Sequence, residues 1–149
     1  MHAMISMDIR RFVNRQKLGY VATVSGNNTP NLSPKGTIIV WDSRTLAFAD
    51  ICSPNTIRNI SSNPSVEINI VDPLLRKGFR FAGRARAIKE GRMFEEILAH
   101  YKRDGIKSSI RAIVLVEVSC ISEVISPLYA QGLSEEEIKS RWRDYFLGM

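Results

Sequence analysis

Thr29 to Pro64 reads TPNLSPKGTIIVWDSRTLAFADICSPNTIRNISSNP, and the rest of the chain is arranged around this stretch. Two strand-like runs, Leu32 to Trp41 and Thr45 to Ala49, lead into Ser53-Pro54-Asn55-Thr56-Ile57-Arg58. A Ser before a Pro at the first helical position is a good N-terminal cap, and Asn63-Pro64 closes the helix after about two turns. Pro54 has no N–H, so the open backbone donors are expected on Asn55, Thr56 and Ile57. They stand at the positive end of the helix dipole, with the hydroxyls of Ser53 and Thr56 and the charge of Arg58 beside them. The chemistry is that of an anion site, although an ordinary capped helix start is the commoner meaning of one Ser-Pro pair.

Upstream of the helix, Ser33-Pro34-Lys35-Gly36-Thr37 is small and polar, whereas Ile38 to Trp41 is apolar. Within a strand, such a stretch marks a bend or a place where a ligand approaches the backbone. Before it, Lys17 to Ser25 has period two, with Leu18, Tyr20, Ala22 and Val24 on one face and Gly19, Val21 and Thr23 on the other. This reads as a strand buried on most of both faces. Gly26-Asn27-Asn28 supplies a hairpin turn, and Pro30 fits the first position of the next strand. Earlier still, Met4 to Gln16 places Ile5, Ile9, Phe12 and Val13 at helical spacing.

Downstream, Val66, Ile68 and Ile70 alternate with Glu67 and Asn69, a strand with one polar face. Asp72 to Gly78 is a connection with two exposed-looking leucines. Phe79 to Ile88 is a strand that sets Arg80, Arg84 and Arg86 on one side. Glu90 to Arg103 carries Phe94, Ile97, Leu98 and Tyr101 on one helical face and ends before Gly105. Ala112 to Val118 is nearly continuous Ile, Val and Leu, as in a central strand, and continues more weakly through Val124. Ser134-Glu135-Glu136-Glu137 is a capping box with Leu133 and Ile138 as its staple, opening a C-terminal helix over about 134–147. One face of this helix carries Ile138, Trp142 and Tyr145.

Many short strands joined by hairpins, with few helices, predict a mainly β, α+β chain: an antiparallel split β-barrel of about six to seven strands with flanking helices. A chain of 149 residues with 44% hydrophobic and 24% charged residues fits one domain, 1–149, with its core over about 17–125. Cys52 and Cys120 match no metal spacing, and His2 and His100 have no ligand-like neighbours, so no metal is expected. No apolar run reaches the length of a membrane span, and Met1 to Asp8 lacks the features of a signal peptide, which points to the cytoplasm. Lys and Arg outnumber Asp and Glu by 21 to 15, a net charge of +6, so anionic partners are favoured without a choice among them.

This succession resembles the FMN-binding split-barrel family, the relatives of pyridoxamine 5'-phosphate oxidase and of the small bacterial FMN-binding proteins. The likeness runs from about Leu18 to Val118. It rests on the hairpin into Pro30, on Asn31-Leu32-Ser33-Pro34-Lys35-Gly36-Thr37, on Thr45 to Asp50, on Ser53 to Ile60 ahead of Asn63-Pro64, and on Phe79-Arg80-Phe81-Ala82-Gly83-Arg84-Ala85. The resemblance implies FMN as cofactor, its phosphate held by Ser53, Asn55, Thr56 and Arg58. It lays the flavin and ribityl chain along Ser33, Pro34, Lys35, Gly36 and Thr37, with the Lys35 charge near the ring. It also implies a homodimer with FMN in the cleft between subunits, Arg80 and the Leu74 to Phe79 loop reaching the partner's cofactor.

The chain lacks the oxidase's basic C-terminal segment, having Ser126-Pro127-Leu128-Tyr129 in its place, so the resemblance does not carry vitamin B6 oxidation with it. What it implies is an FMN-dependent oxidoreductase acting on an unidentified small molecule. Alternatives are a non-enzymatic FMN-binding electron carrier and, outside flavins, a basic barrel for single-stranded nucleic acid tracked by Arg80, Arg84 and Arg86. The aromatics beside those arginines point to the opposite strand face and weigh against nucleic acid. Related barrels also take a deazaflavin or heme.

Overall fold

The computed structural model describes residues 3–149, so the reading of His2 lies outside the described residues. The elements are α1 (Met7–Gln16), β1 (Gly19–Val24), β2 (Pro30–Lys35), β3 (Ile39–Val40), β4 (Thr45–Asp50), α2 (Pro54–Ser62), β5 (Ser65–Asp72), β6 (Lys77–Ile88), α3 (Arg92–Arg103), β7 (Ala112–Ile125) and α4 (Glu135–Leu147). All strand pairs are antiparallel, in one sheet of order β2-β1-β5-β6-β7-β4-β3. The two edge strands, β2 and β3, are consecutive in the chain and separated only by Gly36, Thr37 and Ile38. Three residues span at most about 11 Å, so the sheet must curl until its edges approach each other. The result is an open barrel, mainly β with four flanking helices.

Local chemistry explains the turns. In the β1–β2 hairpin the Ser25 N–H donates to the Thr29 carbonyl, and Asn28 takes a left-handed φ of 61°, which Asn tolerates better than most residues. Pro30 begins β2, pairing with Val24 on an edge strand where a missing N–H is harmless. The polar stretch does bend the chain: strand geometry stops at Lys35 and resumes at Ile39.

The inner face of the sheet carries one core, built on Val21, Ile68, Phe81, Val116, Leu46 and Phe48, with α1 closing it through Val13 and α2 through Ile60. On the opposite face, α3 sets Phe94, Ile97 and Tyr101 against Ile39, Ala47, Ile113 and Leu115. Strands β4 and β7 are therefore covered on both faces, which is why their sequence is continuously apolar. Strand β1 is covered on one face only. Contrary to the expectation from sequence, Leu18 and Tyr20 are 51% and 46% exposed, because no element packs over the outer side of β1 and β2.

The capping box of α4 is formed as expected: Ser134 Oγ accepts from the Glu137 N–H and the Glu137 carboxylate accepts from the Ser134 N–H. Ile138 is fully buried and Trp142 half-buried, but Tyr145 is exposed. The Arg76 guanidinium lies 3.5 Å above the centre of the Trp142 ring, Lys77 pairs with Glu135, and the Tyr129 hydroxyl donates to the Leu75 carbonyl. The turn over 72–77 is thus clasped by the chain's own C-terminal segment. Leu74 and Leu75 are half-buried, and Phe79 packs edge-on against Phe12, so these three are not the exposed loop residues that the sequence suggests.

Candidate functional site

Strand β2 alternates. Pro30, Leu32 and Pro34 face outward and are exposed, while Asn31, Ser33 and Lys35 turn inward with their pairing partners Thr23, Val21 and Gly19. The chain then passes through β3 and β4 and starts α2 next to this inward row. The Lys35 ammonium donates to Ser33 Oγ at 2.6 Å and to Ser53 Oγ, tying the edge strand to the head of the helix. Lys35 is 6% exposed, so it is not the solvated strand lysine that its residue type alone implies. Burial pushes its pKa below the ordinary lysine value, and the nearby Asp50 carboxylate partly offsets this. Two of the three ammonium donors are placed, and the third meets no acceptor among the described residues.

Asp50 is 6% exposed and accepts from the Ser53 N–H at 2.8 Å. This bond bends the chain from β4 into α2 and fixes Ser53 with φ −136° and ψ 60°. The sequence expectation at this point needs two corrections. Ser53 occupies the N-cap position ahead of Pro54, but its side chain makes no capping bond, because its hydroxyl is committed to Lys35. Ile57 is not an open donor either: its N–H closes the first turn on the Ser53 carbonyl at 3.2 Å. Two backbone donors remain at the head of α2, Asn55 and Thr56, and neither has a partner among the described residues. An uncapped helix start facing a buried ammonium is electropositive twice over.

At the head of the helix lies a hollow of about 170 Å³, lined by Asn31, Ser33, Cys52, Ser53, Asn55 and Thr56 among others; Lys35 does not line it and sits behind Ser33 and Ser53, to which it is bonded. The hollow is shallow, below the ~300 Å³ at which pockets for whole drug-sized ligands begin, and suits the anionic end of a larger molecule. Thr56 is 1% exposed, and Asn59 below it donates to Thr23 Oγ1, which ties the helix to β1.

The other predicted residues separate. Arg58 is exposed and reaches back to the Asn55 side chain at 3.4 Å. Gly36 is exposed, and an added Cβ there would meet nothing. Thr37 is buried and internally engaged: its hydroxyl accepts from the Ala49 N–H and its carbonyl from the Tyr101 hydroxyl. Burial pushes the Tyr101 hydroxyl pKa well up, so it stays a donor. Pro34 and Arg80 share an outer row, Pro34–Tyr20–Asn69–Arg80, three strand spacings or about 14 Å apart. Arg80 is therefore remote from the hollow of its own chain. Asp50, Asn31 and Cys52 escaped the sequence reading. The signal for Asp50 was present, since an Asp ahead of a helix can turn the chain by accepting from a backbone N–H a few residues on.

The family follows from comparison. The profile of pyridoxamine 5'-phosphate oxidase matches residues 5–123, from just before α1 through most of β7. The chain belongs to the pyridoxamine 5'-phosphate oxidase family. HupZ of Group A Streptococcus is 31% identical, with a TM-score of 0.74 over 83% of this chain and 96% of that one. An FMN-binding protein from Syntrophomonas wolfei subsp. wolfei, 15% identical, superposes with a TM-score of 0.69 over 79% of this chain and 84% of its own. An F420 reductase, 22% identical, does so with 0.63 over 79% and 98%. The last two likenesses concern the fold alone. No curated protein gives a significant match. Among the described residues no helix is long and apolar enough to cross a membrane, and no group of three or more His, Cys, Asp and Glu is placed to hold a metal.

Within this family the profile ends at residue 123, so α4 and its clasp on the 72–77 turn lie beyond the matched part.

Proposed function

We propose that this family member binds FMN and serves as an oxidoreductase toward a small molecule. The phosphate is held at the head of α2 by the Lys35 ammonium, the N–H groups of Asn55 and Thr56 and the hydroxyls beside them. One observation carries the reading: Lys35, buried and bonded to Ser33 and Ser53 in the wall of the hollow, puts a positive charge behind a helix start whose first two N–H groups are open. The donor set fits a phosphate monoester, which wants charge and several hydrogen bonds at once. When bound, FMN supplies hydride or single-electron transfer, and the chain's share is to bind and orient it. The Syntrophomonas protein, described as FMN-binding, shares the fold and supports the choice of cofactor.

The hollow is too small for a flavin ring, which therefore needs a second surface. Leu18, just before β1, Tyr20 on β1 and Leu32 on β2 are exposed and apolar on the outer side, and Arg80 lies in the same outer row as Tyr20. A homodimer in which this face meets its copy covers these apolar side chains and brings the partner's strand beside the cofactor. Light scattering on the FMN-bound protein should give twice the chain mass at micromolar concentration. A monomer with FMN bound would sink the shared site.

The cofactor test is a titration of the purified chain with FMN and riboflavin. FMN should bind more tightly by tenfold or more, since the phosphate contacts carry charge-assisted hydrogen bonds of about 1.5–3 kcal/mol each. Equal affinities would refute the cradle.

A further inference from the structure

A cleft of about 590 Å³ shares no residue with the cradle. It opens between the β3–β4 turn, the outer face of β6 and β7, and the first turn of α3. Its volume is in the range of small-molecule sites. The floor is apolar, with Leu115 buried and Met93 and Pro64 at its sides. Three cations surround it. Arg84 and Arg86 are two residues apart on β6 and so share a face, and Arg44 comes from the turn. None of the three guanidiniums has an ion pair among the described residues. Asp42 and Glu117 are the acidic lining groups, and the Asp42 carboxylate already accepts from the Arg44 N–H.

Three guanidiniums against the carboxylates of Asp42 and Glu117 leave the cleft net positive, and an anion between the arginines relieves the repulsion that remains. Guanidiniums match phosphate and carboxylate oxygens in pairs. An apolar floor beneath them adds room for a hydrocarbon body. We propose that this cleft is a second ligand site, for a small amphipathic anion whose phosphate or carboxylate meets Arg44, Arg84 and Arg86 while its apolar part rests on Leu115 and Met93. A nucleic-acid strand fits less well: no aromatic ring lines the cleft to stack a base, and Arg80 is about 13 Å farther along β6. The proposal does not rest on FMN binding.

The test uses the full chain in saturating FMN, which fills the cradle, with phenyl phosphate as probe, inorganic phosphate as the probe without an apolar body, and calorimetric titration. Arg84→Gln/Arg86→Gln removes two cations from exposed positions, and Thr56→Ala alters the cradle only. Phenyl phosphate should bind wild type saturably, weaken at least tenfold in Arg84→Gln/Arg86→Gln and stay unchanged in Thr56→Ala, with inorganic phosphate binding about tenfold more weakly than phenyl phosphate. Absence of saturable binding to wild type overturns the site. So does binding that survives the double substitution, or that vanishes in Thr56→Ala, which would put the anion in the cradle. Equal binding of the two probes would remove the apolar floor from the proposal. The FMN titration of the double variant should match wild type. A chain that binds phenyl phosphate as predicted but no FMN would disprove the cofactor reading and leave this cleft standing.

Discussion

The cradle at the head of α2 and the arginine cleft at the far side of the sheet both attract anions, yet they are built in opposite ways. The cradle has one cation, buried, held by two hydroxyls and faced by two helix donors. The cleft has three exposed cations, none in an ion pair among the described residues, with the carboxylates of Asp42 and Glu117 beside them. Burial strengthens a charge's interactions and fixes its position, at a cost in desolvation; exposure avoids that cost and leaves the charge screened and mobile. Preorganisation rather than the number of charges should therefore decide which site binds a phosphate tightly.

The strongest way to break this comparison is Lys35→Met, which keeps the length of the side chain and removes its charge. FMN affinity should fall by about 1.5–3 kcal/mol, tenfold or more, the usual worth of a hydrogen bond to a charged group. The substitution relieves the desolvation of a buried ammonium but also removes its bonds to Ser33 and Ser53 and the charge facing Asp50, so the ligand-free melting temperature is measured first to show that the variant is folded. The sequence reading put this lysine beside the flavin ring, where it would tune the reduction potential. With its ammonium at the helix head, affinity is the quantity to measure, by fluorescence titration of flavin. Unchanged affinity would mean that the phosphate binds elsewhere.

A smaller effect comes from pH. The folded pKa of Lys35 lies below its ordinary value of 10.5, chiefly through burial, with Asp50 working against the shift. Between the folded value and 10.5 the unfolded chain holds the proton that the folded chain has lost. Stability from this group therefore rises with pH through that window, because the cost of the buried charge disappears. Binding runs the other way: FMN affinity should decline across the same alkaline window as the cradle loses its cation, while the phosphate, with a second pKa near 6, stays dianionic. Arg in place of Lys35 keeps its charge throughout and should flatten the profile. An FMN affinity that is constant up to pH 10.5 in wild type would contradict a phosphate-facing ammonium.

Much of the architecture could be read from the chain because local chemistry and tertiary demand agree there. Pro30 after Gly26-Asn27-Asn28, the continuous apolar run from Ala112 and the Ser134 capping box each have one comfortable conformation, and the structure adopts it. The cradle was half legible. Pro54 and the helix start stand out, but the use of Ser53 Oγ by Lys35 depends on β2 lying against α2, a contact between residues eighteen apart. The exposure of Tyr20 and the burial of Leu75 were hidden for the same reason: period two says which residues share a face, not whether anything covers it. The clasp of Trp142 on Arg76 joins residues far apart in the chain, and no spacing rule reports it.

The smallest expected effect sharpens the comparison most, because it concerns two cations around the same helix start. Arg58 follows Asn55 by three residues, is exposed, and points its guanidinium at the Asn55 side chain rather than into the hollow. In water such a charge is screened beyond about 10 Å at 0.1 M salt and contributes little even at closer range. Arg58→Gln should therefore weaken FMN by no more than about 0.5 kcal/mol, a change that shrinks further as salt is added. Lys35→Met should keep its full effect at the same salt. If instead the two substitutions cost the same, burial gives no advantage here, the phosphate sits on the outer side of the first helical turn, and the cradle works as the arginine cleft does, by loosely gathered charge.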